Sequence, residues 1–386
     1  MAQGEVGQTT PARPPRFYPL NETLLRLGLA LAFLFLFLVG VKSLETGISA
    51  LGSGFVDSVF SSVSSPVAGL AAGILATVLI QSSSVSTATI VGLVGSGVLP
   101  VTYAVPMVMG ANIGTTVTNS LASLGHLRQS AYFQRAFAAA TVHDYFNILA
   151  VLILLPIEIA TGLISRIAQW GTDAIDGLLP AVDGSSPIKD AVKAPVGWLQ
   201  DAIEGLGLGG AGGAILLAVG LGLIFISLWQ ITRNMKAVMS GRMENAINSI
   251  LSRGAGLNAI VVGLVMTVAV QSSSITTSIL VPLVAAGVLT LRNAFPVTLG
   301  ANLGTTVTAL LASVAAESSA ALTVALAHVT FNVLGILIFY PIPAMREIPL
   351  RLAERTAIAA VRNKGLVLAY LVGLFIVAPL AILLIA

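Results

Sequence analysis

Two copies of Gln-Ser-Ser-Ser, Gln81 to Ser84 and Gln271 to Ser274, stand inside long apolar sequence. Each is followed, 31 residues after its glutamine, by an asparagine (Asn112, Asn302) in Gly-Ala-Asn-x-Gly-Thr-Thr-Val-Thr. Hydroxyls and amides in such a setting can do two kinds of chemistry. The hydroxyls of Ser82, Ser83, Ser84, Ser272, Ser273 and Ser274 donate hydrogen bonds without fixing a positive charge, which suits an oxyanion. The amide oxygens of Gln81, Gln271, Asn112 and Asn302 and the hydroxyls of Thr115, Thr116, Thr305 and Thr306 are hard ligands, which suits a cation such as sodium. A break between two half-helices strengthens both: the free N–H groups and positive dipole end of one favour an anion, and the free carbonyls of the other favour a cation. No Lys or Arg lies in either motif, so an anion entering alone would be poorly compensated, and burying bare charge is very costly. Sodium must accompany it, each ion raising the affinity of the other by linkage.

The elements that position these residues are themselves duplicated. Between Gln81–Thr118 and Gln271–Thr308, 21 of 38 paired positions are identical, which argues for two related halves rather than a solenoid. The chain is 56% hydrophobic and 9% charged, far below the roughly 25% charged of soluble domains. It is expected to be an all-α integral membrane protein. Leu24–Val41, Ala211–Trp229 and Gly365–Ala386 are long enough for helical crossings, and the continuous apolar runs lack the alternation of a membrane β-barrel. A net charge of +3 without a basic, aromatic-interleaved patch argues against nucleic acid. The absence of cysteine excludes disulfides, thiolate metal sites and a cysteine nucleophile. No nucleophile–base pair or metal triad has recognisable spacing, so an enzyme is not expected, nor is a cofactor beyond coupling ions.

Residues 1–23 read as a disordered cytoplasmic leader, and Leu24–Val41 as a retained first helix. Lys42–Pro66 suggests an amphipathic interfacial helix. Val67–Ile80 and Val85–Leu99 are each short for a crossing and flank the first Ser cluster. They predict a re-entrant hairpin over 67–99, and 257–289 predicts a second. Crossings are expected near Val101–Leu124, interrupted by Asn112–Thr116, and at Ala136–Ile157, Ala211–Ile231, Ala294–Val314 and Ala320–Phe339, about seven in all with the first and last. Segment 158–210, with three Lys/Arg against seven Asp/Glu, belongs outside, and the basic loops at Arg128/Arg135, Arg233–Arg253 and Arg346–Lys364 inside. Counting crossings between these points opens the first hairpin outward and the second inward. That makes residues 24–157 and 211–341 an inverted-topology repeat, with 342–386 a basic loop and last helix, and places the chain in the inner (plasma) membrane with a cytoplasmic N-terminus. Inverted hairpins would bring both Ser tips together at mid-membrane, where non-helical backbone survives only against protein or a water-filled cavity.

Small polar residues in apolar helices can equally be packing residues. Four consecutive polar residues at the same register twice fit that poorly, because they face every side of a helix. Asp144, inside a predicted crossing, is a candidate by default. It and His143 could ligate an ion or relay a proton, or could pair with each other or with Arg135. The second half echoes their stretch as His328-Val-Thr-Phe-Asn332, with Val329 in place of the acid. Trp170, Trp198 and Trp229 fit interfacial anchoring.

The doubled Gln-Ser-Ser-Ser, each with its Gly-Ala-Asn-x-Gly-Thr-Thr, and the stretch from Arg135-Ala-Phe through Thr141-Val-His-Asp-Tyr-Phe-Asn147 to Leu155-Pro-Ile-Glu158 resemble the type II sodium/phosphate cotransporters and their bacterial homologues. The resemblance spans about Val67–Glu158 and Leu257–Tyr340. It implies secondary active import of inorganic phosphate with sodium by alternating access, and often a homodimer of independent protomers. Ser82–Ser84, Ser272–Ser274, Asn112 and Asn302 would then hold phosphate, and Gln81, Gln271, Thr115, Thr116, Thr305 and Thr306 sodium. The electrogenic vertebrate members carry Ala-Gly-Asp where this chain has Leu127-Arg128-Gln129. The missing acid implies two sodium ions per divalent phosphate and a charge-neutral cycle. An exporter, a carrier of another oxyanion, a channel and a non-transporting phosphate sensor are the competing readings.

Overall fold

The computed structural model describes residues 19–52, 54, 63, 65–178, 187–207, 210–253 and 256–385. Of the expected leader, residues 1–18 lie outside them, as does most of the stretch from 53 to 64. Every regular element among the described residues is helical.

Helix α1 (Leu20–Leu51) is longer than the apolar run that predicts it, and absorbs Lys42–Leu51 rather than leaving them as a separate helix. It packs along α9 (Gly210–Arg253). The pairing is close because glycines face backbone: a Cβ on Gly40 would lie 2.9 Å from Ile224 N, and one on Gly213 3.0 Å from the Gly47 carbonyl. Small residues permit such approach in an apolar solvent, where dispersion and packing hold helices together.

The first repeated unit is α2 (Pro66–Ile80), α3 (Ser83–Gly95), α4 (Val101–Thr115) and α5 (Val117–Ser123). The second is α10 (Leu257–Val270), α11 (Ser273–Ala285) and α12 (Leu291–Ala316). In each, the first helix lies against the helix after the hairpin, α2 on α4 and α10 on α12. The glycine that opens each Gly-Ala-Asn motif sits at this crossing. A Cβ on Gly110 would come within 3.0 Å of the Leu70 carbonyl carbon, and one on Gly300 within 2.7 Å of the Ile260 carbonyl carbon. Helix contact thus accounts for both motif glycines.

The halves differ at one point. The expected interruption of the crossing after the first hairpin is present: α4 ends at Thr115, Thr116 is the cap, and α5 resumes at Val117. The equivalent Asn302–Thr306 lies within the unbroken 26-residue α12. Among the described residues, six helices are long and apolar enough to cross a membrane: Leu20–Leu51, Ser130–Thr161, Ala211–Met239, Leu291–Ala316, Ser319–Phe339 and Gly365–Ile385. They match six of the seven expected crossings. The seventh is the broken α4–α5 pair, neither piece of which reaches the length that spans hydrocarbon as one helix.

Helix α6 (Ser130–Thr161) and helix α13 (Ser319–Phe339) are the long central elements of the two halves. Between α6 and α9, the acidic segment forms α7 (Leu163–Leu178) and α8 (Pro187–Glu204), both amphipathic and neither among the six. Glu158, the last acid of α6, turns back to cap α7, its carboxylate accepting from Ile164 N at 2.7 Å and from Ser165. A basic helix, α14 (Pro343–Arg362), packs on α6. The last helix, α15 (Gly365–Ile385), carries a π-helical turn at Gly373–Val377. Trp170 and Trp198 are largely exposed, and the Arg233 guanidinium lies over Trp229, 5.6 Å from its ring centroid.

Candidate functional site

Each Gln-Ser-Ser-Ser forms the same two-residue break. Gln81 and Gln271 adopt the left-handed conformation, with φ of 59° and 56°, which is uncommon for residues with a side chain. Their N–H groups close the preceding helices on Thr77 O and Thr267 O. The next serine caps the following helix, Ser82 Oγ accepting from Val85 N at 3.3 Å and Ser272 Oγ from Ile275 N at 3.4 Å. Such caps satisfy one of the free N–H groups that begin a helix. Ser83, Ser84, Ser273 and Ser274 therefore lie in the first turn of α3 and α11, where the remaining N–H groups and the positive dipole end are. The sequence reading places all four polar residues at the tip. The structure confines the non-helical backbone to the glutamine and the first serine.

The glutamine side chains are held alike. Gln81 Nε2 donates to Val78 O and Gln271 Nε2 to Val268 O. Their Oε1 atoms accept from Thr118 at 3.1 Å and from Thr308 at 2.9 Å. These threonines end the two Gly-Thr-Thr-Val-Thr motifs. Sequence reasoning passed over them, although their identity in both copies was the available signal.

The two breaks meet. Ser84 Oγ lies 3.4 Å from the Gln271 carbonyl oxygen and 3.5 Å from Thr308 Oγ1. The start of α3 in one half thus abuts the end of α10 in the other. Donors of one dipole end and acceptors of the other stand side by side.

Asn112 and Asn302 form a layer with the two histidines, crossed between halves. His143 Nε2 is 2.5 Å from Asn302 Oδ1, and His328 Nε2 is 3.3 Å from Asn112 Oδ1. Asn302 Nδ2 donates to Asn147 Oδ1 at 2.6 Å, and Asn147 Nδ2 to Asn112 O at 3.0 Å. All six residues of the two His-x-x-x-Asn pairs and the motif asparagines are buried. The asparagine amides are therefore committed to protein partners and make no hydrogen bond to the serine breaks. Thr116 and Thr306 donate back to Ile113 O and Leu303 O, Thr305 donates to Ala301 O, and buried Thr115 Oγ1 has no partner. A hydroxyl that donates to its own helix keeps lone pairs for a cation.

A third tie between halves leaves no mark in the repeat. Asn119 on α5 donates to Thr277 Oγ1 at 2.8 Å and accepts from Ser278 Oγ at 3.1 Å, both on α11. The second copy has Ala309 at this register, so the repeat pattern could not mark it.

Asp144 pairs with neither His143 nor Arg135. Its Oδ2 accepts from Ser120 Oγ at 3.2 Å and Tyr370 Oη at 2.7 Å, while Arg135 donates to the Ala285 carbonyl at 2.7 Å and stacks on Tyr132. The ion pairs among the described residues lie away from the breaks, as in the Lys42–Glu317 and Lys193–Glu317 pairs that join α1, α8 and the end of α12. No group of three metal-ligating His, Cys, Asp or Glu occurs among the described residues.

Comparison with known proteins bears on the same segments. The Na+/Pi-cotransporter family matches residues 36–169 and 217–340. Sodium-dependent phosphate transport protein 2A of Rattus norvegicus is 33% identical over 449 residues, covering 98% of this chain and 70% of that protein. The 2A protein of Ovis aries is 35% identical, covering 92% and 67%. The 2B protein of Homo sapiens is 33% identical, covering 92% and 64%. No solved structure matches the chain significantly. The two matched segments contain both serine breaks, both Gly-Ala-Asn motifs and both buried histidines, and the chain belongs to the Na+/Pi-cotransporter family, a family of membrane transporters and not of enzymes.

Proposed function

We propose that this protein imports inorganic phosphate together with sodium by alternating access. The observation that carries the reading is the meeting of the two breaks, with Ser84 against the Gln271 carbonyl and Thr308. Phosphate is held by Ser82, Ser83 and Ser84 and by Ser272, Ser273 and Ser274, together with the N–H groups opening α3 and α11. Sodium takes oxygens from Gln81, Gln271, Thr115, Thr116, Thr305 and Thr306. Asn112 and Asn302 close the pocket from behind and reach phosphate when they release their histidine partners. Because positive groups in the pocket are dipoles rather than Lys or Arg, sodium supplies the compensating charge, and coupling follows from that shortage.

The same reading makes 67–99 and 257–289 re-entrant hairpins of oppositely oriented repeats, the first opening outward and the second inward. The N-terminus and the basic helix α14 then face the cytoplasm, in the plasma membrane. The near-identical break geometry supports it, as does the crossed His143–Asn302 and His328–Asn112 pairing, which a two-fold relation between halves would produce. With Leu127-Arg128-Gln129 in place of an acidic loop, the cycle carries two sodium ions per divalent phosphate and no net charge. A homodimer of independent protomers fits this scheme.

The deciding experiment is labelled phosphate uptake into proteoliposomes with sodium and membrane voltage varied independently. Uptake that needs inward sodium and ignores voltage supports the reading. Export under the same gradient, sodium-independent flux or the absence of saturable counterflow would reject it in favour of an exporter, an uncoupled carrier or a channel.

A further inference from the structure

Asp144 is completely buried in α6, and no lysine or arginine among the described residues pairs with it. One of its oxygens, Oδ2, receives both available donors, Ser120 Oγ and Tyr370 Oη. The other, Oδ1, is buried without a hydrogen-bond partner. The Thr116 side chain stands beside the same carboxylate, its own hydroxyl donating to the Ile113 carbonyl at 2.8 Å. A bare carboxylate in such a place is untenable unless a positive charge joins it.

Three separate segments converge here. Thr116 is the break between α4 and α5 and Ser120 lies one turn on within α5; the second half lacks this break. Asp144 comes from α6, and Val329 stands where the second half would have its counterpart. Tyr370 comes from α15, outside both segments matched by the family. It lies three residues before the π-helical turn at Gly373–Val377, a distortion frequent at functional sites. Its ring is wedged against Phe137, Tyr145 and Phe375, so the hydroxyl is aimed at the acid by packing. The oxygens brought together, two from carboxylate and three from hydroxyls, are hard ligands of the kind that suit an alkali cation.

We infer that Asp144, with Ser120, Thr116 and Tyr370, binds one of the two coupling sodium ions, at a site separate from the serine breaks and closed by the last helix. This rests on the proposed sodium-coupled phosphate import for its role, and on the geometry alone for its existence. The other sodium then sits among the oxygens of the two breaks. The charge balance makes the assignment sharp. In the wild type, two sodium ions offset divalent phosphate, so the transported species carry no net charge. Asp144→Asn keeps an oxygen for Ser120 and Tyr370 but removes the charge that holds the ion.

The test uses purified full-length protein. In detergent without phosphate, sodium titrated against choline should raise the thermal transition of the wild type, and Asp144→Asn should lose the higher-affinity part of that rise while being no less stable in sodium-free buffer. In proteoliposomes with labelled sodium and phosphate, the flux ratio should fall from about two to about one, leaving each phosphate with one uncompensated negative charge. Asp144→Asn uptake should then be slowed by an inside-negative potential to which the wild type is indifferent. Tyr370→Phe, which keeps the ring packing, should leave the ratio near two and raise the sodium concentration for half-saturation about five-fold, the loss of one ordinary hydrogen bond. An unchanged sodium titration and flux ratio in Asp144→Asn overturns the proposal, as does stabilisation by protons alone. If Asp144→Asn does not fold, Tyr370→Phe with an unaltered sodium dependence overturns it. Should the wild type carry no phosphate, the reading of the serine breaks fails, and the phosphate-free titration still decides this site.

Discussion

Gly300→Ala tests the claim that the motif glycines serve helix contact rather than ligand approach. A methyl at this position would lie 2.7 Å from the Ile260 carbonyl carbon and 2.8 Å from Leu264 N, where carbon contacts are comfortable only near about 3.5 Å or beyond. The obstruction is backbone on both sides, so no rotamer change relieves it. The Ile260 carbonyl oxygen is nearer still, so α10 and α12 must separate by about 1.5 Å to restore contact distance. Overpacking of this kind costs about 1–3 kcal/mol, and a backbone-on-backbone clash belongs at the upper end. The intrinsic helix preference of alanine over glycine returns about 1 kcal/mol, leaving a net loss of roughly 2 kcal/mol. Gly222→Ala on α9 is the control, because nothing lies within 4 Å of the added methyl, and it should gain the propensity term alone. Thermal inactivation in one detergent should order the proteins as Gly222→Ala, wild type, Gly300→Ala. Equal stability of the two alanine variants would refute the packing argument. Gly300→Ala should also depress uptake, since Asn302, two residues along, is held by His143 and Asn147 at 2.5 and 2.6 Å.

Ser83→Ala and Ser273→Ala each remove one hydroxyl from an anion, a loss of about 1.5–3 kcal/mol for a charged partner; half-saturating phosphate should rise about 10- to 100-fold with normal membrane insertion, and unchanged kinetics in both would remove the breaks from the site. Asn119→Ala cuts the tie from α5 to Thr277 and Ser278, leaving Ser278 short of a partner. Destabilisation of about 1–3 kcal/mol is expected by thermal denaturation, and a neutral result would show that the tie is dispensable. Glu158→Ala uncaps α7, where its carboxylate serves Ile164 and Ser165; stability should drop by about 1 kcal/mol, while sodium and phosphate half-saturation stay at wild-type values in uptake assays. Wild-type proteoliposomes should show no phosphate-evoked current, whereas a clear sodium-dependent current would overturn the charge-neutral stoichiometry.

Much of this architecture could be read from one-dimensional pattern. The repeat of Gln81–Thr118 in Gln271–Thr308, the apolar runs and the scarcity of charge specify helices, halves and the two Gln-Ser breaks, because hydrophobic length and polar interruption are local properties. Local too is the capping by Ser82 and Ser272, which depends on residues three apart. What the pattern could not supply is which distant side chains meet. Identical motifs gave a broken helix at Thr116 and a continuous one through Thr306, since the helix is decided by its neighbours as well as by its own residues. The partnership of Ser84 with Gln271, of His143 with Asn302 and of Tyr370 with Asp144 joins residues more than 150 positions apart. Those contacts arise from packing of whole helices, a non-local choice that no spacing along the chain encodes.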